Sequence, residues 1–265
     1  MNQPLIKWTG SKRPIANKII QYFPNEIDTY YEPFLGGGSV LFELLRSDKV
    51  VNSFNCSDLN NNLIQIYNCV KDDPYKLIDG YAHHWNKLQT TPNYYYDARA
   101  EYNANKDFII FYFLTRTCYN GTIRYNLKGE FNTSHHFGRT GMLPHKIKNI
   151  ILEYHALMKD KDITFTCSSF NDVVVKSNSV VYLDPPYTNT ASLYQGNISL
   201  DLLIEWISKL DSNWYMNMNG VNSNDNELQF PFKCNKVLLK SGNSSFSRLK
   251  GNNVIVDEYF YWNTV

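Results

Sequence analysis

Apolar and polar positions alternate along this chain in two rhythms, and the switch between them divides it. Helical spacing runs over residues 14–22 and stops at Pro24. A short strand-like stretch, Tyr30-Tyr31, leads into a glycine turn at Gly36-Gly37-Gly38. The amphipathic run from Val40 then reads as a helix to about Arg46. Residues 50–57 predict a second strand ending near Asp58, and Leu63, Ile64, Tyr67 and Val70 return to helical spacing. From about Asp72 to Leu157 strands vanish. Helices are predicted over 75–88, 94–103, 107–118 and 144–158, with an irregular hairpin-like loop over 122–137. Strand patterns return at 163–166 and 180–183, then a helix over 200–210 and strands near Trp214, Val237 and Val254. The pattern predicts an α/β fold: two blocks sharing one parallel sheet, interrupted by a helical insertion. Continuing the sheet across the insertion would put the turn after Tyr31 and the segment after Leu183 at neighbouring strand ends. Ligands of open α/β sheets bind at such ends.

The segment after Leu183 is Asp184-Pro185-Pro186-Tyr187, preceded by the apolar run Val180-Val181-Tyr182-Leu183. The prolines fix φ near −65° and remove two N–H donors, so the loop is stiff and its carbonyls are not consumed by a helical turn. A carboxylate, a free carbonyl and a flat ring suit a planar amine-bearing group: two acceptors for the NH2 hydrogens and one face for the ring. A turn of polyproline character is the competing reading of the tetrapeptide alone. The upstream motif, Glu32-Pro33-Phe34-Leu35-Gly36-Gly37-Gly38-Ser39-Val40, has the strand–turn–helix layout of a nucleotide-binding junction. The dinucleotide fingerprint fails, because Leu41 stands where its third glycine belongs. A pyrophosphate is therefore disfavoured and a nucleoside favoured. Asp58, 20 positions after Gly38, stands about where an acid would take ribose hydroxyls.

Composition narrows the reading. At 265 residues the chain can bury a real core, and its net charge of +1 announces no partner. Local charge is more telling. Residues 112–148 hold six Lys or Arg against Glu130 alone, residues 233–250 hold five and no acid, and residues 7–18 hold four and none. Charge runs are commonly solvated faces, but these three flank the two site loops, as phosphate contacts around a reactive pocket would. Five cysteines without a C-x-x-C pair read as reduced thiols of a cytoplasmic protein. His135-His136 and His145 lack a nearby cysteine, and no metal is expected. No signal peptide opens the sequence, and its longest apolar run, residues 108–114, is too short to span a bilayer.

With these motifs in place, the chain resembles the Dam-type DNA adenine-N6 methyltransferases, the class with an Asp-Pro-Pro-Tyr catalytic loop. Lys7-Trp8-Thr9-Gly10-Ser11-Lys12 is similar to that family's N-terminal motif, Glu32 to Val40 to its methyl-donor loop, and Arg116 to Asn132 to its DNA-reading segment. Asp184 to Tyr187 matches its catalytic loop, and Asp257-Glu258 resembles its final strand. The resemblance implies a Rossmann-like S-adenosylmethionine-dependent methyltransferase sheet, residues 1–71 and 159–265, carrying a target-recognition domain over 72–158. It implies transfer of a methyl group to the amine of an adenine flipped out of duplex DNA, leaving S-adenosylhomocysteine. Asp184, Pro185 and Tyr187 would be catalytic. Trp8, Lys12, Phe34, Gly36, Gly38, Asp58, Phe170 and Asp184 would hold the donor. Arg116, Tyr119, Asn120, Arg124, Asn126, Asn132 and Arg139 would contact DNA, Arg124 as first choice for a guanine reader. Thr122 and Ser134 depart from the pattern of GATC readers, where an apolar residue and proline are common; Thr122 keeps a methyl group able to touch thymine, so GATC leads. Ser169 leaves an acidic position of the donor site unfilled. The expected setting is a bacterial cytoplasm, host- or phage-encoded, beside a cognate restriction endonuclease or without one. The rival readings are a non-catalytic DNA-binding subunit and a methyltransferase acting on RNA or on a protein amine.

Overall fold

The computed structural model describes residues 3–136, 140–186, 199–219, 230–243 and 255–263; of residues 240–243 and 255–257 it describes the backbone alone. Two compact units emerge, one of Met1–Ser11 with Asn60–Lys161, the other of Lys12–Leu59 with Asp162–Val265.

The second unit is built on a seven-stranded sheet. In chain order its elements are α1 (Ala16–Ile19), β1 (Glu26–Glu32), α2 (Ser39–Arg46), β2 (Val50–Asp58), then β3 (Ile163–Cys167) and β4 (Val180–Leu183). The strand order is β3-β2-β1-β4, and it continues through β5 (Asn213–Met218), β7 (Ile255–Trp262) and β6 (Asn235–Asn243). The pairs from β3 to β5 are parallel, whereas β7 runs antiparallel to both of its neighbours. Tyr30 and Tyr31 of β1 lie opposite Val180 and Val181 of β4. The strand ahead of the glycine turn and the strand ahead of Asp184 are therefore adjacent, as the sequence predicts. Sequence order runs outward from this pair through β2 and β3 on one side and to β5 on the other, which makes it the switch point of a doubly wound sheet. All four residues of β4 are buried, as befits a parallel strand covered on both faces. One apolar cluster joins Val181 and Leu183 to Phe170, Leu203, Trp214, Met216 and Tyr261.

Where periodicity and structure differ, the reason is local. The helix predicted over 14–22 is only α1 followed by a 3-10 turn, Ile20–Tyr22. Pro14 and Pro24 bracket too few residues for more than two turns. β1 begins four residues before Tyr30, its early positions alternating exposed and buried.

The first unit is helical: α3 (Asn61–Asp72), α4 (Pro74–Thr90), α5 (Tyr94–Asn105), α6 (Phe108–Thr117) and α7 (Pro144–Met158). Side chains cap three of them, Asn60 on Asn62 and Leu63, Asp73 on Lys76, and Asp107 on Ile109 and Ile110. Helix α6 is buried from Ile110 through Thr117 and forms the unit's axis, with Phe111 stacked on Tyr102 at 5.4 Å. Residues 118–135 form the expected irregular hairpin, held by antiparallel bridges Cys118–His135 and Tyr125–Phe131. In the second unit, the helix over 200–210 is α8 (Leu200–Ser208), capped by Ser199. No described helix is long and apolar enough to cross a membrane.

Candidate functional site

The glycine turn after β1 is held from within. Gly36 and Gly38 have φ of 47° and 64°, the left-handed region that glycine enters without a Cβ clash. Asp58, at the end of β2, accepts from the Gly36 N–H at 2.9 Å; the Gly38 N–H goes to the Leu35 carbonyl at 2.7 Å, and the Leu35 N–H to Ser57. Two amides that could face a phosphate are thus spent on the protein itself, which agrees with the missing third glycine. What the turn offers instead is a half-buried carboxylate beside a tight backbone, a donor set suited to a ribose diol. Phe34 lies alongside, its ring 5.3 Å from that of Phe170. Phe170 is buried in the apolar cluster and meets Trp206 edge-on, so it serves as the wall behind Phe34. These residues fit a nucleoside-bearing methyl donor.

On the neighbouring strand, Asp184 leaves the buried end of β4 with its carboxylate next to Lys12, 2.8 Å from Nζ to Oδ1. Lys12 is itself 4% exposed and lies 3.7 Å from Glu258 on β7. Asn217 of β5 donates to Glu258 at 3.4 Å and accepts from the Tyr182 hydroxyl at 2.9 Å. Glu32, at the end of β1, accepts from the Tyr30 hydroxyl at 2.8 Å. A buried charge needs partners, and here two acids, Asp184 and Glu258, share one lysine. Burial pushes the Asp184 carboxyl up to about 6, with Lys12 pulling it down and Glu258 adding to the rise. Burial likewise raises Glu32 to about 8, opposed by the Tyr30 hydrogen bond and reinforced by Asp184. Such perturbed carboxyls at strand ends mark a functional site.

The sequence reading named Lys12, Asp58 and Asp184 but gave no site role to Glu32, Asn217, Tyr182 or Glu258. Local pattern does not single them out, since Glu32 shares β1 with Glu26, Asp28 and Thr29, and Glu258 follows Asp257 on β7. Tyr187 lies outside the described residues, as does Arg139. Pro185 is buried directly after Asp184.

Residues expected to touch DNA belong to the first unit, as does half-buried Trp8. Arg116 does not have the environment of a DNA contact. It is 4% exposed, and its Nη2 donates to the Pro4 and Leu5 carbonyls while the guanidinium lies over Tyr112. Position 116 falls on the buried turn of α6, so the side chain anchors the N-terminal segment. The hairpin carries the others. Tyr119 is 49% exposed and stacks on His136 at 5.0 Å, beside Asn120, whose φ is 55°. Exposed Arg124 donates from Nε to the Asn132 side chain at 2.8 Å, which fixes the guanidinium plane. Asn126 closes the tip: its side-chain oxygen accepts from the Lys128 and Glu130 amides, while Gly129 supplies the left-handed φ of 74°. Thr122 and Thr133 tie the two arms, hydroxyl to carbonyl, at 2.8 Å. His135 stacks on Tyr95 rather than pairing with His136. Among the described residues no cluster of His, Cys, Asp and Glu could hold a metal ion.

Comparison of the sequence with known proteins identifies the family. The family model for D12 class N6 adenine-specific DNA methyltransferases matches residues 8–201. The chain is 34% identical to the type II methyltransferase M.MjaIII of Methanocaldococcus jannaschii, the match covering 70% of this chain and 69% of that protein. It is 34% identical to the DNA adenine methylase of Serratia marcescens, over 70% and 67%, and 33% identical to that of Escherichia coli, over 70% and 65%. The match thus spans about two thirds of these relatives' own length. Among solved structures, the rRNA methyltransferase aviRa of Streptomyces viridochromogenes aligns at a TM-score of 0.43 and 11% identity, covering 93% of this chain and 82% of that one.

Proposed function

Since the chain belongs to the D12 class of N6 adenine-specific DNA methyltransferases, we propose that it methylates the N6 amine of an adenine extruded from duplex DNA, within GATC. The observation that carries this reading is the adjacency of β1 and β4, which sets the Gly36–Asp58 turn and the Asp184 loop on neighbouring strand ends. When bound, S-adenosylmethionine supplies a sulfonium-activated methyl group and departs as S-adenosylhomocysteine. Asp58 would take the donor ribose, with Gly36 and Gly38 allowing close backbone approach and Phe34 lining the base. Trp8 is assigned to the same donor.

Asp184 and the Pro185 carbonyl would accept the two hydrogens of the target amine, which draws its lone pair out of the purine ring and aims it at the methyl carbon. Lys12 holds the Asp184 carboxylate still, so orientation is set before the substrate arrives. The proton is lost once the nitrogen has become cationic, so no strong base is needed beforehand. Tyr187 would stack on the extruded base. Tyr119, Asn120, Arg124, Asn126, Asn132 and Arg139 form the proposed DNA set, with Arg116 left out because its guanidinium is engaged internally. Arg124, aligned by Asn132, has the fork needed for guanine O6 and N7.

The test is incubation with tritium-labelled donor and duplexes that carry or lack GATC, with RNA and protein acceptors in parallel, and mass spectrometry of the product nucleosides. N6-methyladenine in GATC duplexes alone is the expected result. Donor binding without label in DNA would end the enzyme reading, and label in RNA or protein would redirect it.

A further inference from the structure

Lys12 stands between two carboxylates at unequal distances, 2.8 Å from Asp184 and 3.7 Å from Glu258, in a setting that leaves it 4% exposed. One ammonium cannot fully satisfy both, so what Glu258 takes Asp184 loses. Glu258 is held for this: Asn217 donates to its Oε2, and Asn217 is fixed by the Tyr182 hydroxyl from the strand that carries Asp184. These five residues come from four places in the fold: the segment before α1 (Lys12), β4 and the position just after it (Tyr182, Asp184), β5 (Asn217) and β7 (Glu258). We propose that Glu258 is a positioning residue for methyl transfer, acting through Lys12 to keep the Asp184 carboxylate available to the target amine rather than locked into an ion pair. The inference rests on the reading of Asp184 as the amine's acceptor.

The physical argument concerns acceptor strength. A carboxylate paired with an undivided ammonium spends charge on that partner and binds a neutral N–H less well. Dividing the ammonium returns part of the charge to Asp184 while Lys12 still fixes its orientation. The other groups facing this site are Glu32 with its Tyr30 partner from β1, Asp58 and Cys56 from β2, and Tyr182 from β4. They are common to every variant compared below.

The signs are opposite for the two partners of Asp184, which separates this role from a merely structural one. Glu258 raises the Asp184 pKa and Lys12 lowers it. Glu258→Gln should therefore lower kcat and move the acid limb of the kcat/KM profile to lower pH, by roughly 0.5–1 unit. Lys12→Met should move that limb to higher pH, and Glu258→Asp should restore the wild-type profile in part. A second measurement does not need turnover: 13C-carboxylate titration of the full chain labelled at aspartate, with Asp184 assigned through Asp184→Asn. Its midpoint should fall in Glu258→Gln. Coincident midpoints and unshifted profiles, with thermal stability alone reduced, would overturn the proposal. Should the wild type transfer no methyl group at all, the functional reading fails, and the titration still decides whether Glu258 reaches Asp184.

Discussion

Replacing Asp58 tests the donor site most directly, because one carboxylate does two tasks. It accepts from the Gly36 N–H at 2.9 Å, and in the proposed complex it takes the ribose hydroxyls. A hydrogen bond to a charged acceptor contributes about 1.5–3 kcal/mol, a neutral one about 0.5–1.5. In Asp58→Ala the turn loses its anchor while Gly36 and Gly38 must still hold left-handed φ values, and the ribose loses its acceptor. Counting both losses, donor affinity should fall by about 2–4 kcal/mol, roughly 30- to 1,000-fold. Asp58→Asn keeps an oxygen for Gly36 and weakens both contacts, so about 1 kcal/mol, or fivefold, is expected. Isothermal titration with S-adenosylhomocysteine reads both variants, with melting curves run separately to register any loss of fold. Binding by Asp58→Ala within about threefold of wild type would remove Asp58 from the donor site, whatever happened to activity.

Arg124→Ala should relax base preference at one position of the target by about 1–3 kcal/mol in competition assays, and unchanged preference would exclude it as a reader. Asn132→Ala should reproduce part of that effect at the same position, since its side chain aligns the guanidinium. Gly80→Ala should destabilise despite alanine's better helix propensity: a Cβ there would come within 2.4 Å of Ile109 Cγ2, an overpacking cost of about 1–3 kcal/mol, seen as a Tm several degrees lower. Glu32 gives a pH signature. Its folded pKa of about 8 stands above the ordinary glutamate value of 4.5, so the folded state holds the proton more tightly and stability from this group is full below 4.5 and lost as pH rises through 8. Glu32→Gln should therefore show a smaller loss of Tm than wild type between pH 5.5 and 8.5, and parallel curves would contradict the assignment.

The sheet was largely legible because its strands end in punctuation. Gly36 to Gly38 and Pro185-Pro186 mark two strand ends unmistakably, and the buried runs before them fix the parallel core. Helix α7 could be bounded at both ends because Pro144 begins it and apolar spacing persists to Met158. The burial of Arg116 is not legible for a physical reason: sequence shows its charge and its closeness to the hairpin, but not that its turn of α6 faces inward. Glu258 and Asn217 were invisible as site residues because their meaning depends on which strands become neighbours. The antiparallel insertion of β7 is a tertiary fact that no local pattern encodes.

That insertion bears on how the enzyme comes to be. A ribosome delivers β7 after both β5 and β6, yet its slot lies between them. Until residues 255–262 emerge, two strand edges stand unpaired and Lys12 lacks its second carboxylate. A chain lacking those residues should therefore be prone to stick to its like.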